Sequence, residues 1–230
     1  MKNSEGKKQG FMSKLTVAFF GDMDRENDRH LQMARQWAQE TCKTFSAWGM
    51  KANITGEQGK TVIFEITDSP VQWIHLQYYT DKQEDSPPHD AASWYFVVPD
   101  SRHLPKLKIR TIAKRTYNFW KSAHGEVIDL HWKGNDRGTG ISRDQDITVA
   151  IMSLMNCQLK RSRHFINNRI LFLNIRSELE VSEGIIKIET GRDTRGWVIE
   201  PDLPVYNSQE EWHIFESIAT RLLKLAIPEY

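Results

Sequence analysis

Between residues 131 and 142 the chain reads HWKGNDRGTGIS, with Gly134, Gly138 and Gly140 following an apolar run and preceding a segment of helical periodicity. A strand, a glycine turn and a helix N-terminus together can bind an anion, because unpaired backbone N–H groups and the positive end of the helix converge there. Lys133 and Arg137 add charge, so Lys133, Gly134, Arg137, Gly138, Thr139, Gly140 and Ser142 form a candidate anion-binding set. A Walker loop needs Lys and then Ser or Thr directly after its last glycine, whereas Ile141 and Ser142 follow Gly140 here. The plainer role of these glycines is to supply positive φ angles in a turn ahead of a capped helix.

A second candidate is the basic segment Arg102, Lys106, Lys108, Arg110, Lys114, Arg115 and Lys121, which contains no acid between Asp100 and Glu126. Another basic run holds Lys160, Arg161, Arg163, Arg169 and Arg176. With Tyr117, Phe119 and Trp120, the first run has the residue types that contact phosphates and stack on bases. The same residues also suit a solvated helix face whose long side chains cover the rim of a core. Thirty-one basic and 30 acidic residues leave a net charge of +1, which argues against wholesale electrostatic binding and confines it to local patches.

Two short stretches resemble catalytic motifs. The spacing of Gly134, Gly138 and Gly140 resembles the glycine motif of short-chain dehydrogenases, and Tyr117 with Lys121 reproduces their Tyr-x-x-x-Lys pair. In that family the glycines open the chain and the pair comes later; here the pair precedes the glycines. VAFFGDMDRE, with Asp22 and Asp24, resembles the first motif of haloacid-dehalogenase-type phosphatases. The resemblance implies an Asp nucleophile and an Asp acid at a strand's carboxyl end, beside magnesium. Arg25 and Glu26 replace the small and apolar residues expected next, and no later paired-aspartate motif completes the metal site. The same acids, with Asp28, suit the positive end of a helix. An EF-hand is disfavoured by Met33 at its twelfth position. The eight histidines show no His-x-x-x-His spacing, and Cys42 and Cys157 lie far apart, so no metal or other cofactor is expected.

The supporting elements follow from periodicity. Leu31, Ala34, Trp37, Ala38, Thr41, Cys42, Phe45 and Trp48 predict an amphipathic helix between Arg25 and Trp48. TVIFEIT (61–67), VQWIHLQYY (71–79) and SWYFVV (93–98) predict an antiparallel meander, interrupted by the loop DKQEDSPPHD at 81–90. Pro105 opens a predicted helix carrying Ile109, Ile112, Ala113, Thr116, Trp120 and Ala123, with a strand from KLKIR as its competitor. EVIDLHW (126–132) reads as a strand, and a Ser142/Gln145 capping box introduces a helix from Arg143 to about Asn156. Strands at ILFLNI (170–175), GIIKIE (184–189) and GWVIE (196–200) precede a last helix capped by Ser208 with Glu211.

This order predicts an α+β class: two units of helix plus antiparallel sheet, arranged as similar halves. The expected divisions are a flexible segment 1–13, a unit 14–125 and a second unit 126–230. The initial lysines and the apolar run Leu15–Phe20 are followed by acids without a small-residue cleavage pattern, so no secretory leader is expected. No stretch is apolar enough to cross a bilayer, and cysteine usage fits the cytoplasm. Since each catalytic motif lacks a member, the expected function is a non-catalytic protein-binding or adaptor module. Its helix-then-meander order resembles small chaperone-like modules, with Trp73, Tyr79 and Trp94 as interface candidates for a protein partner or second copy. The alternatives are nucleic-acid or phosphorylated-ligand binding, and a magnesium-dependent phosphatase-like enzyme.

Overall fold

The computed structural model describes residues 5–58, 61–81, 89–118, 123–161, 171–177, 196–203, 205 and 208–227. The first helix, α1, runs Glu5–Ala47. His30, Ala34, Ala38, Thr41 and Phe45 recur at helical spacing and are buried. Gly49, at φ 82°, ends it, and the Met50 N–H returns to the Phe45 carbonyl at 2.9 Å, a glycine cap that satisfies an orphan helix carbonyl.

Four strands follow as an antiparallel meander: β1 (Lys51–Gln58), β2 (Thr61–Thr67), β3 (Trp73–Asp81) and β4 (His89–Pro99). Next come β5 (Lys108–Asn118), β6 (Ala123–Asn135), a 3-10 turn at Ile141–Arg143 and α2 (Gln145–Arg161). The remainder is β7 (Phe172–Arg176), β8 (Gly196–Pro201) and α3 (Gln209–Lys224). This is an α+β architecture built on one eight-stranded sheet, ordered β1-β2-β3-β4-β8-β7-β5-β6, with antiparallel neighbours throughout. The division expected at Gly125 falls inside β6, and helical backbone is assigned from Glu5 onward, inside the segment 1–13.

Residues from all three helices share one buried cluster with a single sheet face, which carries Phe64, Ile74, Phe96, Ile109, Leu173 and Ile199. Phe96, Trp212 and Phe215 pack within about 6.2 Å of one another at its centre, and Phe45 of α1 joins Trp212 at 4.7 Å. Among the described residues, three ion pairs fasten α3 to α2 and to Asp144 just before it: Arg161 to Glu211 at 3.0 Å, Arg221 to Asp144 at 2.8 Å and Arg221 to Asp146 at 3.4 Å. Burial, the largest influence, pushes the Glu211 carboxyl above the usual range despite Arg161. Asp100 accepts hydrogen bonds from the Arg102 guanidinium and from the Trp197 indole at 3.0 Å. Arg102 also donates to the carbonyls of Leu222 and Leu225 at the end of α3.

Three expectations change. The segment after Pro105 is a strand, because Ile109 and Thr111 alternate into the core while Lys108 and Arg110 stay exposed, a period of two. Strand β1 has no counterpart in the periodicity reading. The cap of α2 is Asp144, whose Oδ1 accepts the Ile147 N–H at 3.0 Å; the Ser142 hydroxyl donates to Asp136 instead. The Ser208 cap is present, its Oγ accepting the Glu211 N–H at 3.0 Å. GIIKIE, the loop residues 82–88, Phe119, Trp120 and Lys121 lie outside the described residues.

Candidate functional site

The sheet has a second face, opposite the helices, and its β6-β5-β7 portion is cationic. In an antiparallel pair, directly opposed residues project to the same side. Register therefore builds three successive rows across these strands. Asn135, Lys108 and Arg176 form the first, Lys133, Arg110 and Asn174 the second, and His131, Ile112 and Phe172 the third. Lys108 thus stands directly opposite Arg176, and Arg110 directly opposite Lys133. Like charges placed this way are destabilising unless something neutralises them. Arg176 is paired with Glu200, which also accepts from Asn174 at 3.0 Å. Among the described residues, Lys108, Arg110 and Lys133 are exposed and have no carboxylate within ion-pair distance. The Arg110 guanidinium lies over the Phe172 ring, 3.8 Å from its centroid.

At the end of the first row is a cleft of about 300 Å³, lined by Lys106, Leu107, Lys108, Asn135, Arg137, Arg176 and Ser177. Four of the seven are cationic and none is acidic. Its base is the buried join of Leu107 to Ser177, where each backbone N–H is bonded across, Leu107 to the Ser177 Oγ at 3.1 Å and Ser177 to the Leu107 carbonyl at 3.2 Å.

The glycine loop, the candidate anion-binding set, bonds several of its own amides. Asn135 Oδ1 accepts the Arg137 N–H at 2.8 Å, Asp136 Oδ1 accepts that of Gly138 at 3.1 Å, and the Asp136 carbonyl accepts that of Thr139 at 3.0 Å. The N–H groups of Arg137, Gly138 and Thr139 are thus occupied by acceptors within the loop. The Ser142 hydroxyl bond, together with backbone N–H groups, holds the Asp136 carboxyl below its usual range. Gly134, at φ 102°, is required for close approach, since a Cβ there would overlap the Lys108 carbonyl. What the loop presents is the side chain of Arg137, on a backbone at φ 50°, beside Lys106 and Lys108.

The other basic candidates divide. Lys114 lies farther along the same face, opposite Asp129. Arg102 is committed to the end of α3, and Arg115 donates to the Gly125 carbonyl at 3.1 Å, its pKa lowered by burial. The aromatic interface candidates are less accessible than expected: Trp94 is 3% exposed in the core and Trp73 9% exposed, while Tyr79 is half-buried. Trp73 packs with Tyr95, Val97 and Val198 on the β3-β4-β8 portion of the second face. His75, opposite Tyr95 there, is 2% exposed with its Nε2 lacking a hydrogen-bond partner, and burial lowers its pKa to about 4.

Asp22 and Asp24 fall inside α1, whereas the phosphatase motif requires a strand's carboxyl end. Among the described residues, no three His, Cys, Asp or Glu side chains gather closely enough to hold a metal ion. Both described thiols are pushed up by burial, Cys157 also by Glu210 and Glu211, away from the reactive thiolate. No described helix is long and apolar enough to cross a membrane. Fold and site together define an α+β protein with one antiparallel sheet, helices on one face and a basic area on the other. Compared with known proteins, the chain matches no family model, no curated protein and no solved structure.

Proposed function

We propose that this protein is a non-catalytic binding module that holds a phosphate-bearing ligand on the basic area of β6, β5 and β7. The observation that carries this reading is the opposed placement of Arg110 and Lys133, exposed and without a carboxylate partner among the described residues. A bound polyanion turns that repulsion into a paired array, and guanidinium groups bind phosphate through charge-assisted, bidentate hydrogen bonds. The neighbouring cleft, lined in part by Lys108, lies beyond the strand ends. Burial of Trp73 and Trp94 withdraws the anchors on which the protein-interface reading relied.

Calorimetric titration with sodium tripolyphosphate at low ionic strength tests the proposal. Binding should occur, weaken as salt is added, and disappear in Arg110→Glu and Lys133→Glu. Absence of binding to millimolar tripolyphosphate, or full binding by both charge-reversed variants, refutes it.

A second reading, a protein partner, is favoured by a different surface. Between α2 and α3 lies a groove of about 390 Å³ lined by Asp146, Val149, Ala150, Ser153, Ile214 and Ser217, with Val149 60% exposed. If it binds a second copy, sedimentation should show a dimer that Val149→Glu disrupts; a monomer at high concentration counts against self-association.

A further inference from the structure

Building on the phosphate-binding reading, we infer that the ligand is single-stranded nucleic acid, with its backbone over the two cationic rows and a base against the Arg110–Phe172 stack. A mononucleotide is matched by an enclosed pocket, but the cations here extend beyond the 300 Å³ cleft. From Lys108 to Lys114 is six residues of β5, roughly 20 Å at the rise of a strand, and these positions share one face. A polymer can follow such a track. The row next to Arg110 supplies the second requirement. His131, Ile112 and Phe172 place two flat rings and a branched apolar side chain beside the charges, and the Arg110 guanidinium carbon lies over the Phe172 ring, 3.8 Å from its centroid. Guanidinium planes and aromatic rings are the surfaces on which unpaired bases stack, while a duplex keeps its base faces inside. A phosphopeptide or an anionic lipid surface would use the cations and leave that row without a role.

The test compares three fluorescein-labelled probes with the unmodified protein: a twelve-residue oligothymidylate, an abasic deoxyribose-phosphate chain of equal length, and a twelve-base-pair duplex. Oligothymidylate should bind roughly tenfold more tightly than the abasic chain, the contribution of one stacked base. It should also exceed the duplex. With three phosphates neutralised, its affinity should fall roughly twentyfold between 50 and 200 mM salt. Phe172→Leu, checked for folding by its melting profile, should bring oligothymidylate down towards the abasic chain. Equal binding of the thymidylate and abasic chains overturns the inference while leaving the phosphate site standing, as does tighter binding of the duplex. Retention of the full base preference in Phe172→Leu also overturns it. Failure of all three probes and of tripolyphosphate overturns both readings together.

Discussion

Replacing Asp100 with alanine should cost about 3 kcal/mol, most of it through Trp197. The Trp197 side chain is fully buried, and its indole N–H donates to Asp100 Oδ2 at 3.0 Å. Without the carboxylate that donor has neither protein acceptor nor water, a penalty of about 1–3 kcal/mol. Arg102 is 35% exposed, so it regains water and its share is about 1 kcal/mol. Asp100→Asn keeps an oxygen for the indole and should cost only about 1 kcal/mol. Urea denaturation supplies the measurement, with unchanged m values confirming that the folded and unfolded ensembles are comparable. In a Trp197→Phe background the cost of Asp100→Ala should shrink by about 1–2 kcal/mol. Equal costs for the alanine and asparagine variants, or no coupling to Trp197, would refute this account. The pH dependence supplies a second check. Burial raises the Asp100 carboxyl, but hydrogen bonds from Arg102 and Trp197 outweigh it, so the folded-state pKa lies below the ordinary value. Its stabilisation is therefore present above the unfolded carboxylate pKa and lost as pH falls through the folded one. The difference between wild type and Asp100→Ala should accordingly narrow in acid.

His75 is shifted the same way by a different cause, burial of the neutral ring: its folded pKa of about 4 lies below 6.5, so the unfolded chain takes the proton first as pH falls. Stability should drop by about 3 kcal/mol between pH 6.5 and 4, and His75→Leu should flatten that part of the curve; parallel curves in urea titrations would count against it. Gly134→Ala should lose more than about 1 kcal/mol in thermal unfolding, since the new methyl meets the Lys108 carbonyl and φ is positive. Ser208→Ala should cost about 1 kcal/mol by removing the acceptor for the Glu211 N–H, while an unaffected melting temperature would show the cap to be redundant.

Legibility in the sequence followed the strength of local patterns. The meander was visible because TVIFEIT and SWYFVV concentrate β-branched and aromatic residues, and α3 because Ser208 stands ahead of an unbroken apolar stripe. β1 carries little sequence signal: KANITGEQ has few strand formers, and Gly56 follows a register shift after Ile54. In β5, Ile109, Ile112 and Ala113 satisfy helical spacing and compete with the strand pattern from KLKIR, yet Ile112 projects to the second face beside Phe172. The candidate site was legible only as a list of cations. Which of them share a surface depends on register, and Arg176 and Phe172 join Lys108 and Ile112 through pairing more than 55 positions away. The glycine loop was recognised as a turn ahead of a helix, but its acceptors, Asn135 and Asp136, looked like ordinary turn residues until their bonds to the loop amides were visible.

The order of the sheet bears on how a nascent chain acquires its structure. Strand β8 lies between β4 and β7 and is the last of the described strands in chain order. While residues 196–201 are still within the ribosome, the β1–β4 set and the β5–β7 set lack the described strand that joins them, so β4 and β7 each await their β8 partner. Completion by a late, distant insertion makes for slow folding, because loop closure comes before the contacts that reward it. Ribosome-bound chains arrested before Gly196 should thus be prone to intermolecular strand pairing, and those arrested with β8 fully emerged should be far less so.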